Sequence, residues 1–163
     1  MPNWCSNSLF VSGTPEQIEQ FVEQMKAVNK KEGEKEISAL DFEAVVPMPR
    51  VLLDRKSPAD DSSITWYDWS LDNWGTKWNT GEAYVEYETG STTASYNYET
   101  AWGPAMNWQE KVIEYFPWLT FEFEWEEPNM NFCGSMSGAS GKVTEVLEGE
   151  ISEARYEEIF GHE

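Results

Sequence analysis

The sequence predicts an α+β fold of the ferredoxin-like, split βαβ kind. An antiparallel sheet carries helices on one face, with an aromatic insertion and a C-terminal addition. Three observations predict it. Strand-type alternation recurs at residues 4–11, 82–88, 94–100 and 119–126. Helix-type spacing falls between the first and second of these runs and again between the third and fourth. The resulting order, strand-helix-strand-strand-helix-strand, is the split βαβ order. The length of 163 residues fits a single domain over residues 1–163, with the insertion at about 30–80 and the addition at about 129–163. A chain of about 150 residues buries roughly 68–70% of its unfolded surface, enough for a core without staples.

Leu9 and Val11 alternate with Ser8 and Phe10, and Gly13 ends that first strand. Thr14-Pro15-Glu16-Gln17 then opens a helix: Thr14 caps, Pro15 suits the first helical position, and Gln17 reaches back as the capping-box partner. Ile18, Phe21, Val22 and Met25 give one apolar stripe, and the helix is expected to run to about residue 28. Residues 29–36 alternate in charge and read as a solvated loop. Residues 41–46 read as a short strand closed by Pro47-Met48-Pro49, and residues 53–63 as a surface loop.

Residues 64–79 hold four of the nine tryptophans, Trp66, Trp69, Trp74 and Trp78. Tyr67, Leu71 and Trp74 fall at i, i+4 and i+7, which predicts a helix over 65–73 burying that face and stopping at Gly75. A β-hairpin follows, with Val85 and Tyr87, then Tyr96 and Tyr98, alternating with polar residues around Thr89-Gly90-Ser91-Thr92. Ala105, Trp108, Val112 and Phe116 mark the next helix, which Pro117 stops. Leu119, Phe121, Phe123 and Trp125 then alternate with Thr120, Glu122, Glu124 and Glu126, the pattern of a half-buried strand. Strands at residues 130–136 and 143–150 are expected on either side of a flexible segment at 137–141, and a final helix at 152–160, capped by Ser152.

The helices are expected to cover the sheet face that carries Leu9, Val11, Val85, Tyr87, Tyr96, Tyr98, Phe121 and Phe123. Glu86, Glu88, Glu99, Glu122, Glu124 and Glu126 then share the opposite face. Carboxylates two residues apart on a strand sit about 6.8 Å from one another, so the helix-free face is expected to be acidic.

Thirty acidic residues against eleven basic ones give a net charge of −19. That balance argues against direct binding to nucleic acid, which needs Lys and Arg to displace counterions, and against an anionic membrane surface. Self-repulsion predicts that added salt stabilises the fold. No apolar run approaches the roughly 20 residues that span a bilayer. The first ten residues lack a basic segment followed by an apolar one, so no secretory signal is expected. A cytoplasmic protein with Cys5 and Cys133 as buried free thiols is the expectation.

Little in the sequence points to catalysis, cofactor or metal. His162 is the lone histidine, so a Ser-His-Asp or Cys-His set would need a residue of the last three. The segment 68–72 begins like a calcium loop, but its glycine, Gly75, falls at the eighth position where the sixth is needed. Trp74, Lys77 and Trp78 form a candidate stacking platform for a small ligand, with core closure as the competing structural role.

Several motifs together resemble the YubB-type ferredoxin-like family, small proteins carried largely by phages and plasmids. They are Asn3-Trp4-Cys5-Ser6-Asn7, Val46-Pro47-Met48-Pro49, Trp66-Tyr67 with the run from Asn73 to Asn79, Glu99-Thr100-Ala101-Trp102-Gly103-Pro104, and Glu127-Pro128 followed by Phe132-Cys133-Gly134. The motifs span residues 3 to about 134 in order, and the chain after Lys142 lies outside them. The resemblance implies the same ferredoxin-like fold and brings no catalytic residues. Two cysteines cannot hold a four-thiolate iron–sulfur cluster. The leading functional expectation is a non-enzymatic interaction protein of mobile-element type, whose acidic face engages a basic, nucleic-acid-binding host protein. The alternatives are a small-ligand binding module near Trp74, Lys77 and Trp78, and an enzyme of unrecognised type.

Overall fold

Period-two alternation puts Cys5, Asn7, Leu9 and Val11 on one side of β1 (Trp4–Ser12), and all four are buried. In the computed structural model, which describes residues 3–26, 39–49, 52, 65–80 and 83–151, this strand lies inside the sheet. The other strands are β2 (Ala83–Glu86), β3 (Thr93–Ala101), β4 (Thr120–Glu127), β5 (Phe132–Ala139) and β6 (Lys142–Glu150), in the spatial order β2-β3-β1-β4-β5-β6. Every neighbouring pair is antiparallel. The first four strands with their two crossing helices form the split βαβ unit, and β5 and β6 extend the sheet beyond β4.

Helix α1 (Pro15–Met25) starts as its sequence predicts. The Thr14 amide donates to Gln17 Oε1 at 2.9 Å and the Gln17 amide to Thr14 Oγ1 at 3.3 Å. It ends at Met25, short of the predicted residue 28, because Lys26 turns extended and the Met25 carbonyl accepts the Asp41 amide instead. Helices α2 (Trp66–Asn73) and α3 (Met106–Tyr115) complete the described helices. The loops expected at 29–36 and 53–63 and the helix expected at 152–160 fall outside the described residues.

The core lies between the sheet and these helices. Phe21 of α1 meets Tyr96, Phe116 and Phe121 edge-on at 5.9, 5.0 and 5.7 Å between ring centroids. Trp108 of α3 packs against Phe42 at 4.4 Å and Phe123 at 6.5 Å. Edge-to-face geometry sets the negative face of one ring against the positive edge of another and adds about 0.5–1.5 kcal/mol per pair beyond burial.

Three local expectations are corrected. Residues 41–46 form no strand; Phe42–Ala44 is a 3-10 turn, because the Asp41 carboxylate accepts the Glu43 amide at 2.9 Å and Asn79 Oδ1 accepts the Phe42 amide at 3.0 Å. Helix α2 buries a different face from the one its spacing predicts: Tyr67 and Leu71 are exposed, while Ser70 is buried and Trp66 and Trp69 are half-buried. Ser70 fits there because its hydroxyl donates to the Trp66 carbonyl at 2.7 Å, which satisfies its own buried donor. Finally, residues 137–139 are strand rather than a flexible segment, and the turn is confined to Ser140 and Gly141.

Gly138 explains that last difference. A Cβ there would sit 2.5 Å from Ile113 Cδ1 and 2.6 Å from Ile113 Cγ1, so the missing side chain is what lets α3 close on β5. Gly138→Ala is expected to destabilise the protein by about 1–3 kcal/mol through overpacking, read as a lower urea midpoint at unchanged slope.

Candidate interaction surface

The sheet has two unlike faces. Leu9, Tyr96, Phe121 and Phe123 lie under the helices and are buried. On the other face, β1 contributes Trp4, Ser6, Ser8 and Phe10. Register assigns the neighbours: Ser6 stands between Glu99 and Glu126, Ser8 between Asn97 and Glu124, and Phe10 between Ser95 and Glu122. Glu86 extends the last row through its pairing with Ser95. Glu86, Glu99, Glu122, Glu124 and Glu126 therefore share the face that the sequence predicts. Glu88 is exposed but lies past the end of β2, outside the ladder. Glu145, opposite Ser137 on β6, joins the face; its strand lacked the clear alternation needed to find it. Cys133 shares the same face by register and is nevertheless buried.

None of the described helices packs on this face. Apart from Lys77 and Trp78, the described parts of the insertion sit with the helices, since Phe42 contacts Tyr98 and Trp108 on the buried side. Short serines on β1 between longer side chains on β3 and β4 make a trough of about 450 Å³, with Ser6 and Ser8 on its floor and Glu99, Asn97, Glu124 and Glu126 along its walls. The Ser8 hydroxyl donates to Asn97 Oδ1 at 3.1 Å. Tyr84, 63% exposed, stands at the β2 side.

At the Trp4 end of the open face Trp4 and Trp78 pair, and Lys77 stands between Trp78 and Trp102. Trp4 and Trp78 lie 6.0 Å apart between centroids, tilted by 33°. Lys77 Nζ stands 4.0 Å over the Trp78 ring and 5.9 Å from the Trp102 ring. Trp4, Trp78 and Trp102 are 37%, 38% and 49% exposed. A cation over an exposed indole gains about 0.5–1 kcal/mol. Lys77 makes no ion pair among the described residues; the two described pairs are Lys26–Glu23 at 2.8 Å and Lys111–Glu114 at 3.6 Å.

The turn that presents Trp102 is held from below. Trp102 has φ of 70°, a left-handed conformation unusual for a bulky residue and costing about 1–3 kcal/mol. Its amide donates to the Asn3 carbonyl at 2.7 Å. The Thr76 hydroxyl donates to the Ala101 carbonyl at 2.8 Å, and the Thr100 hydroxyl to the Gly103 carbonyl at 2.5 Å. Buried Asn7 donates to Thr100 Oγ1 at 2.9 Å and to the Cys5 carbonyl at 3.0 Å. A buried polar network thus fixes an exposed indole.

Trp74 does not belong to this site. It is 3% exposed, donates from its indole Nε1 to the Val46 carbonyl at 2.9 Å, and packs against Phe42 and Trp69. The candidate ligand set of Trp74, Lys77 and Trp78 is corrected accordingly: Lys77 and Trp78 are at the surface, joined by Trp4 and Trp102. Asp68, the first residue of the calcium-like segment, completes the capping box of α2 with the N-cap Thr65, its carboxylate accepting the Thr65 hydroxyl at 2.9 Å.

Both cysteines are buried and neither is in a disulfide. Burial pushes the Cys5 thiol up from 9.0 to about 12, its hydrogen bond with Thr100 opposing and the Glu127 and Glu126 carboxylates adding. Burial likewise raises the Tyr96 and Tyr98 phenols. Among the described residues no three His, Cys, Asp or Glu side chains form a metal-binding group, and no helix is long and apolar enough to cross a membrane.

Comparisons with known proteins agree with this architecture. A family model described as the ferredoxin-like domain in Api92-like protein matches residues 73–160. The crystal structure of protein Api92 from Yersinia pseudotuberculosis superposes with a TM-score of 0.70 at 9% identity, over 93% of this chain and 99% of that one. At that identity the likeness speaks for the fold alone. No curated protein matches.

The raised thiol and phenols set the alkaline behaviour. A group protonated in the folded state above its unfolded pKa gives stability that is present below that unfolded value and lost as pH rises through the folded one. Unfolding free energy is therefore expected to fall from about pH 9 towards pH 12, with Cys5→Ala flattening the first part of the fall. Urea unfolding across that range checks it. Thiol reagents at neutral pH are expected to leave Cys5 unmodified until the protein is unfolded.

Proposed function

This chain belongs to the family of the ferredoxin-like domain in Api92-like protein, and from that premise we propose that it is an interaction protein whose helix-free sheet face binds a basic protein. One observation carries the reading: five glutamates stand in register on a face that no described helix covers, with exposed aromatic side chains at its end. Glu122, Glu124 and Glu126 repeat every two residues, about 6.8 Å apart. Glu99 and Glu126 flank β1 two strand spacings apart, about 9.6 Å. Such an array offers a protein that binds nucleic acid a surface of regularly spaced negative charge in place of phosphates. The net charge of −19 steers basic partners toward it and nucleic acid away.

The YubB-type resemblance adds a setting to this proposal: a phage- or plasmid-borne protein acting in the cytoplasm on a host defence or regulatory protein. The role proposed is binding rather than catalysis. A second reading has its own observation, the Lys77 ammonium over the Trp78 ring without a carboxylate partner among the described residues. It makes the tryptophan cluster a pocket for a small anionic ligand, and such a ligand quenches tryptophan fluorescence in a way that Lys77→Ala abolishes.

Capture from nuclease-treated host lysate, eluted on a salt gradient, tests the leading reading. One or a few basic proteins released at moderate salt, and absent when Glu122, Glu124 and Glu126 are changed to Lys, is the expected result. Partners that survive both high salt and the charge reversal contradict it.

A further inference from the structure

Register puts Trp4 of the tryptophan cluster next along β1 from the serine floor of the trough, and this order along the strand specifies what lies on it. Trp4, Ser6 and Ser8 are successive open-face positions of one strand, each about 6.8 Å from the next. At the first position the surface is aromatic, with Trp4 against Trp78 and Trp102 close by. At the second, Glu99 and Glu126 stand on either side of Ser6. At the third, Glu124 and Asn97 stand on either side of Ser8.

We infer that the partner contributes an extended segment lying along β1, with an apolar or aromatic side chain on the tryptophans and basic side chains at the next two alternate positions. This deepens the proposed binding of a basic protein and rests on that reading. Three features select an extended chain of this pattern. An extended chain advances by the same two-residue step as β1, so its alternate side chains stay in phase with Trp4, Ser6 and Ser8. The floor is low because serine is short, which leaves room between walls two strand spacings apart for a guanidinium to reach a wall carboxylate. Lys77 already occupies the Trp78 ring face and stands beside Trp102, so the cluster repels a further cation and accepts an apolar group. Positive charge is thereby directed to the second and third positions. Trp102 is suited to an anchoring role because its strained left-handed turn is held by hydrogen bonds to Asn3, with Thr76 and Thr100 bracing the adjacent carbonyls. A preorganised ring loses little freedom on binding.

Synthetic peptides test the pattern on the full chain. The probe is an acetylated, amidated Gly-Phe-Gly-Arg-Gly-Arg-Gly peptide, titrated by tryptophan fluorescence and calorimetry. Its control, Gly-Phe-Arg-Gly-Arg-Gly-Gly, has the same composition and the same charge but puts both arginines out of phase with the phenylalanine. The in-phase peptide is expected to bind about tenfold or more tightly than the control, and both Trp4→Ala and the pair Glu99→Lys with Glu126→Lys to cost about tenfold or more. Thermal unfolding of each variant establishes that it is folded, and Trp78→Ala serves in place of Trp4→Ala if the latter is not. Equal binding of the two peptides, or binding indifferent to the tryptophans, overturns the extended-segment inference. If the lysate partner is still lost on charge reversal, the broader acidic-face reading stands without it. If neither peptide nor lysate partner responds to the glutamates, both fall.

Discussion

Trp108 decides which face of the sheet is left open. It reaches the insertion twice: its indole Nε1 donates to the Phe42 carbonyl at 3.1 Å, and its backbone amide donates to the Trp74 carbonyl at 3.2 Å. Phe42 lies against the Trp108 ring, and Trp74 lies against Phe42. Both described ends of the insertion are thereby held on the helix side. An indole N–H buried without an acceptor would cost about 1–3 kcal/mol, so this attachment is specified by polar satisfaction as well as by area. The aromatic richness of residues 64–79 serves mainly this attachment, with Trp78 as the member that escapes to the surface.

The consequence is a sheet with a division of labour between its faces. On one, large apolar and aromatic side chains meet three helices. On the other, serines, glutamates and a few aromatic rings face outward along β1, β3 and β4. The two are not independent. Asn7 points from β1 into the interior, binds Thr100, and through it braces the turn whose Trp102 is displayed on the surface. A polar side chain is costly in a core unless it is paired, and here the pairing shapes the end of the exposed trough.

The sequence is legible where period and chemistry are local. The capping box at Thr14 and Gln17 needs only four residues to read. The common face of Glu122, Glu124 and Glu126 needs only the alternation of a single strand. What is not legible depends on contacts between distant segments. Trp4 and Trp102 come together because β1 pairs with β3, so neither draws notice as a partner of Trp78 in a scan along the chain. Helix α2 is short and aromatic all round, so spacing alone favours Tyr67 and Leu71, whereas Trp66, Trp69 and Ser70 are turned inward. Trp74 and Trp78 look alike in sequence; the Val46 carbonyl, 28 residues away, makes one of them core.

The central claim is that the open face, rather than the molecule's acidity at large, is the binding surface. Amide NMR perturbation mapping on addition of an arginine-rich peptide tests it most directly, because helix-borne acids such as Glu16, Glu19, Glu110 and Glu114 provide an internal comparison. The account predicts shifts concentrated at Trp4, Ser6, Ser8, Asn97, Glu99, Glu124 and Glu126 and at the indole resonances of Trp4 and Trp78. Shifts spread evenly over the helix carboxylates and the sheet would contradict it and reduce the charge to a solubility device.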